Sequence, residues 1–287
     1  TVTPDNASKV YGESDKEFTY TPSGLVGEDT LSDITLSRAE GDNVGTYEIT
    51  AAQKKDANPN YSVKFNKGTF TINPKEITVT ITPNGGTYEG NIISAAAVLN
   101  GLVGEDKPEI ILTYAGKAND GTEVNGTKTP VLAGTYTVTA SITDSNYNLK
   151  AEGTTAEFVV TKATPGLSVA AVSDKSYGEG AFKLGVSNKG DGLKSYVSSN
   201  EKVVTVDEKG TVTIVGAGTA TLTVSLAESA NYTADRKAVT VTVAPKEITV
   251  TADNQKKIAG EADPVLTYTA DGLVGEDTLS GITVKRK

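Results

Sequence analysis

The chain has 287 residues, no Cys, His, Met or Trp, and a formal net charge of −9. Without Cys there is no disulfide scaffold, thiolate metal site or thiol nucleophile, and without His the commonest general base, the Ser-His triads and most zinc chemistry are missing. Negative charge spread along the chain argues against nucleic acid and anionic membranes as partners, and no run of about 18 apolar residues is present to span a bilayer. From the N-terminus, short runs alternate apolar and polar residues, the period-2 signal of half-buried strands. Thr1 to Val10 reads as a strand or broken strand, and Tyr11-Gly12 turns the chain. Phe18-Thr19-Tyr20 reads as a strand ended by Pro22-Ser23-Gly24, and Ile34-Thr35-Leu36 as another. Gly45 to Thr50 alternates cleanly, with Tyr47 and Ile49 on one face. Tyr61 to Phe65 and Thr69 to Ile72 flank Asn66-Lys67-Gly68 like the arms of a hairpin. Acidic residues at Glu28 and Asp29 would suit a single helical turn before Leu31.

One phrase, Gly-Leu-Val-Gly-Glu-Asp, occurs at Gly24 to Asp29, Gly101 to Asp106 and Gly272 to Asp277, which marks a repeat array. A second, Pro-Lys-Glu-Ile-Thr-Val-Thr, occurs at Pro74 and Pro245, at a constant offset ahead of the first. Four segments follow from this register: 1–74, 75–162, 163–245 and 246–287. The first is expected to enter one residue into its opening strand, and the last to stop about halfway through a repeat. The second carries an expanded polar loop at Gly116 to Gly126, with Asp120-Gly121 and Asn125-Gly126 as turn dipeptides. The third keeps Ser176-Tyr177-Gly178 and Asn231-Tyr232 but lacks the phrase. Residues 246–287 lack equivalents of the Gly45 and Gly68 strands and are expected not to close a fold alone. Their edges should be disordered, paired with a neighbouring chain, or completed elsewhere.

Tyr11-Gly12, Phe18, Tyr20, Gly24 to Leu31, Arg38, Gly41, Gly45-Thr46-Tyr47, Asn60-Tyr61 and Gly68 to Ile72 resemble the MBG-type repeats, with a Tyr-Gly signature, of bacterial surface adhesins. The second segment resembles them more loosely, with Tyr88-Glu89-Gly90 and the longer loop. Asn200 to Val204 and Gly210 to Thr221 make the third resemble a bacterial Ig-like domain of the invasin and intimin kind. The resemblance covers nearly the whole chain and implies an extracellular stalk or adhesive region on a bacterial cell surface or wall.

The residues themselves point to an all-β chain of small antiparallel Ig-like sandwiches in an elongated, semi-rigid rod, because Pro74-Lys75, Lys162-Ala163 and Pro245-Lys246 leave little linker slack. Tyr47-Glu48-Ile49 and Tyr136-Thr137-Val138 have the spacing of a tyrosine whose hydroxyl ties back to the backbone beside an inward-facing position; Ala220 breaks that pattern. The rival is a β-grasp for the first two segments, which needs a helix across the sheet.

No catalytic, metal or cofactor residue is assigned, and no cofactor is expected. The adjacent carboxylates Glu28 and Asp29, Glu105 and Asp106, and Glu276 and Asp277 lack the converging oxygens of a calcium loop. They read as solvated turns whose glycines take positive φ and whose carboxylates cap backbone amides. The recurring tyrosines read as core positions. An isopeptide bond at Lys64 or Lys150 would need a buried lysine. The leading functional expectation is a non-catalytic stalk projecting a distal domain. The second is that the repeats bind host glycan, mucin or matrix protein, with Gly116 to Gly126 as the contact. The third is an accessory region of a secreted carbohydrate-active enzyme.

Overall fold

The computed structural model describes residues 1–90 and 94–287 and divides the chain into two compact units, 1–161 and 162–287. All regular structure is β, and no helix occurs among the described residues. That removes the β-grasp, which has no helix to pack across its sheet.

The first unit holds two β-sandwiches. In the first repeat a four-stranded sheet runs in the order Ala7–Val10, Gly68–Asn73, Gly45–Gln53, Ile34–Arg38. Val2–Pro4 pairs with Tyr20–Pro22 as a second, smaller sheet, and Val2 bridges Phe65. The chain changes sheets between Pro4 and Ala7. Asp5 anchors the crossover by accepting from the Thr19 and Thr21 hydroxyls at 2.7 and 2.8 Å, and Asn6 Oδ1 accepts from the Thr69 amide. Alternation sets the core: Ile49, Phe70 and Ile72 are buried together, with Tyr47, Phe18 and Tyr11 packed around them. The second repeat rebuilds this plan. Lys75–Thr82 pairs with Ala96–Asn100 and Tyr147–Leu149, facing a five-stranded sheet through Ile110–Ala118, Gly134–Ile142 and Thr155–Thr161. Tyr114, Tyr136, Val138, Phe158 and Val160 fill its core.

Most ladders are antiparallel, but Tyr147–Leu149 runs parallel to Lys75–Thr82 and Lys175–Ser176 parallel to Asp235–Ala244. Ala7–Val10 runs parallel to Gly68–Asn73, and Gly86–Thr87 runs parallel to Thr155–Thr161. Sequence reading erred at three places here. The predicted strand over Phe18 to Tyr20 instead runs Tyr20–Pro22, because its register is set by Val2–Pro4; its proline is tolerated on a short edge strand. Residues 61–65 form no hairpin with Gly68–Asn73, whose two edges are taken by Gly45–Gln53 and Ala7–Val10. The predicted polar loop at Gly116 to Gly126 is mostly strand. Asp120-Gly121 turns the chain so that Glu123–Gly126 pairs back on Ile110–Ala118, with the Thr122 amide donating to Asp120 Oδ1 at 2.8 Å.

The tyrosine ties are present. The Tyr47 hydroxyl donates to the Asn43 carbonyl at 2.7 Å and the Tyr136 hydroxyl to the Leu132 carbonyl at 2.9 Å, each four residues upstream. Tyr136 is 1% exposed, so its hydroxyl is satisfied within the fold. Tyr136→Phe should cost about 1 kcal/mol, the usual worth of one such hydrogen bond, read as a lowered denaturant midpoint with an unchanged slope.

In the second unit, Lys175–Ser176, Asp235–Ala244, Gly218–Leu226 and Lys194–Ser198 form one sheet, facing Phe182–Lys183, Thr211–Ile214 and Val204–Val206. Leu184, Val204, Val212, Leu222, Val224, Leu226 and Val241 make its core. Beyond it, Thr249–Ala252 pairs with Tyr268–Asp271, and none of the described residues from 246 to 287 is buried. The local crossover device survives: Asp253 accepts from the Thr267 and Thr269 hydroxyls as Asp5 does from Thr19 and Thr21. The core does not. Val2 and Val79 are 0% and 4% exposed, whereas Val250 at the same register position is 40% exposed, because it has no opposing sheet.

Candidate functional site: a joint between repeats

The repeated phrase is a tight turn set by two glycines. Gly101 and Gly104 have φ of 93° and 53°, and the other two copies match. The Asp106 amide donates to the Val103 carbonyl at 3.0 Å, closing a turn rather than the predicted single helical turn. The turn presents a valine and an aspartate on the same side. Within the second repeat, Tyr147 of the Asn-Tyr pair fits between them. Its hydroxyl accepts from the Val103 amide at 3.0 Å and donates to Asp106 Oδ2.

The same Oδ2 takes a second hydroxyl from outside its repeat: Tyr11 donates to it at 2.9 Å. The Tyr11 and Tyr147 rings meet edge to face, with centroids 5.4 Å apart. Gly12 lies flat on Val103 at φ 84°, and a Cβ there would collide with the valine methyls. A further contact closes the joint: the Val44 amide donates to Asn146 Oδ1 at 2.9 Å, and Asn146 Nδ2 donates to Asn43 Oδ1. The first repeat therefore grips the second through its Tyr11-Gly12 turn and its 43–44 loop.

The turn is braced from behind. Glu13 accepts from the Val10 amide at 3.0 Å, and its own amide donates to the Val10 carbonyl. Asp15 bridges Lys9 at 2.7 Å and Arg38 at 2.5 Å, and Arg38 also reaches Asp42 at 3.0 Å while its guanidinium lies over Phe70. Those two cations, Arg38 foremost, hold the Asp15 carboxyl below its usual range.

The second unit repeats the joint. The Asp277 carboxylate faces the Tyr177 hydroxyl and pushes its phenol above the ordinary value, a Cβ on Gly178 would lie 2.6 Å from a Val274 methyl, and Glu179 accepts from the Ser176 amide at 2.8 Å. The recurring motif is Tyr-Gly-Glu, at residues 11–13 and 177–179. The glutamate is legible in the sequence as part of that repeat, beyond the Tyr-Gly pair. The phrase aspartates, expected to cap backbone amides, face tyrosine hydroxyls instead. Tyr11 and Tyr177, expected in the core, pack at its edge and are partly exposed, so that their hydroxyls reach the phrase, as does that of the partly exposed Tyr61. Lys64 and Lys150 are exposed, with Lys150 beside Glu76 at 3.4 Å, so neither has the burial an isopeptide bond needs.

Burial, with the bond to Asp106 second, pushes the Tyr147 phenol up to about 12 from an ordinary value of 10. The folded state holds this proton more tightly than the unfolded chain. Its contribution is complete below about pH 10 and is lost as pH rises through about 12. Tyrosinate absorbance should show a late-titrating class. Asp106→Asn should move part of that class to lower pH.

Residues 1–71 and 248–287 match the MBG domain of YGX type, residues 77–164 match the MBG domain, and residues 177–228 match the intimin immunoglobulin-like domain. The chain is built of MBG domains with one intimin-type Ig-like domain. MBG and Ig-like domains are typically non-catalytic units of surface-protein repeat regions. No curated protein matches the chain. Among solved structures, the chain is similar to an S-layer protein, SbsC, at 16% identity over 88% of this chain and 45% of that one, with a TM-score of 0.27. It is similar to Drosophila N-cadherin EC1-3 at 8% identity over 84% of this chain and 98% of that one, TM-score 0.23. A SusE-like surface located polysaccharide binding protein from Bacteroides thetaiotaomicron aligns at 11% identity over 83% and 42%, TM-score 0.24. The chain spans less than half the length of the S-layer and polysaccharide-binding proteins. The Tyr-Gly turn of the first MBG segment, and that of the Ig-like segment, supply the donor side of each joint, and the phrase of the following MBG segment supplies the acceptor.

Proposed function

We propose that the chain is a non-catalytic stalk segment of a bacterial cell-surface adhesin, in which the first repeat fixes the orientation of the second and the Ig-like domain that of the segment after it. The observation that carries this reading is the joint itself. Tyr11-Gly12 on Val103 and Asp106, and Tyr177-Gly178 on Val274 and Asp277, use the same side chains for the same contact. A stalk requires neighbouring repeats to resist bending. Between the first and second repeats a shared carboxylate, a close glycine contact and an edge-to-face pair of tyrosine rings supply that resistance without a large apolar interface. The absence of Cys and Met in a chain exposed to oxidants fits an extracellular setting.

The test is binding of the whole chain to a panel of host glycans, mucins and matrix proteins. The stalk reading expects no saturable binding. Saturable binding that maps to one repeat would replace it with the adhesive reading, and the hairpin tip at residues 119–122 is the first surface to substitute.

A further inference from the structure

The three phrases are in three states of occupancy. Asp106 holds both its own Tyr147 and the preceding Tyr11. Asp277 faces the preceding Tyr177, whose neighbour Gly178 lies on Val274. Asp29 holds its own Tyr61 at 2.5 Å, whose hydroxyl accepts from the Val26 amide at 3.1 Å. The acceptor geometry at residues 24–29 is therefore already assembled: Gly24 and Gly27 have φ of 80° and 59°, and the Asp29 amide closes on the Val26 carbonyl. Its outer face is open. Val26 is 72% exposed, whereas Val103 and Val274 at the same position are partly covered. Asn60, the counterpart of the Asn146 that grips the 43–44 loop, is also exposed.

From this we propose that the face formed by Val26, Asp29, Asn60 and Tyr61 is a docking site for a Tyr-Gly-Glu turn carried by a domain joined ahead of residue 1. The chemistry is specific. A glycine at positive φ is needed to lie flat on Val26, because a Cβ at Gly12 or Gly178 would strike the corresponding valine. A phenol is needed to reach Asp29, whose carboxylate accepts a second hydroxyl as Asp106 does. The occupant precedes its acceptor because both occupied phrases take their turn from the repeat before them. The proposal rests on the joint geometry and not on the stalk reading; a ligand-binding array would need the same joint.

The experiment places residues 1–77 ahead of the full 287-residue chain, which preserves the spacing from Pro74 to Thr78. Amide exchange at Val26 to Asp29 should slow roughly tenfold or more relative to the unextended chain, towards the rate at Val103 to Asp106 in the same molecule. Tyr→Phe with Gly→Ala at positions 11 and 12 of the added copy should restore fast exchange at Val26 and leave residues 103–106 protected. Unchanged exchange at Val26 with a folded added copy overturns the proposal. Slowing that survives the double substitution also overturns it. Should the added copy not fold, Val274→Arg in the original chain frees the Tyr177 turn without touching a buried core. Resonances of Val26 and Tyr61 should then move as the concentration of that variant rises, and Val26→Arg in the same variant should abolish the movement. Concentration-independent resonances would sink the idea. Protected residues 103–106 throughout would show that only the docking site had failed, not the joint.

Discussion

Phe70→Ala is expected to unfold the first repeat while leaving the core of the second unit folded. Phe70 is 1% exposed and is one of three fully buried side chains in that core, with Ile49 and Ile72. Its ring meets Phe18 edge to face at 5.5 Å and underlies the Arg38 guanidinium at 5.0 Å. Removing it costs the transfer of a large apolar side chain plus the cavity left behind, about 3–5 kcal/mol. It also strips the surface on which Arg38 lies, and with it the bracing of Asp15 and Lys9 behind the Tyr11-Gly12 turn. A sandwich of roughly 70 residues holds a margin of that same order. Hydrogen exchange resolved by segment is the measurement. Fast exchange across Gly45–Gln53 with retained protection across Gly218–Leu226 is the expected result. Uniform retention would show that the first repeat has a larger core than its buried residues indicate.

Gly12→Ala is expected to open the joint without unfolding either repeat. Two costs fall on the same atom. Positive φ disfavours any side chain, by about 1–2 kcal/mol, and the added methyl collides with Val103. Tyr11 sits one residue away, so relief of the clash also draws its hydroxyl off Asp106. Residual dipolar couplings give the readout. In the native protein the first and second repeats should share one alignment tensor; in Gly12→Ala they should need two, with chemical shifts inside each core unchanged. A conservative control, Tyr11→Phe, keeps the ring contact with Tyr147 and removes one hydrogen bond to a carboxylate, worth about 1.5–3 kcal/mol at most. It should loosen the joint less than Gly12→Ala. If Gly12→Ala leaves a single tensor, the glycine contact does not hold the repeats together.

These two variants divide the molecule as its chemistry divides it. Phe70 acts inside one repeat through apolar burial. Gly12 acts between repeats through shape, and its neighbour Tyr11 through a shared carboxylate. Glu13, Asp15 and Arg38 join the two levels, since they tie the joint's turn to the ring of Phe70.

Sequence by itself determined what is local or repeated. Alternation placed Tyr47 and Ile49 on one face and Tyr136 and Val138 on another, because side chains on a strand point to opposite sides with period two. The spacing of Tyr47 and Tyr136 foretold hydroxyls tied to the backbone, since that bond closes within four residues. Phrase glycines announced positive φ for the same local reason. Tertiary structure alone decided which partners the repeated side chains meet. Phrase aspartates and Tyr-Gly turns lie far apart in the chain, so no spacing rule joins Tyr11 to Asp106 or Tyr177 to Asp277. Strand edges behaved alike: Gly68–Asn73 took neighbours from residues 7–10 and 45–49 rather than the adjacent 61–65, because ladder pairing goes to whichever edge the folded sandwich presents. A residue's periodicity is written in its own stretch of chain, but its contact across a joint depends on where another stretch has folded.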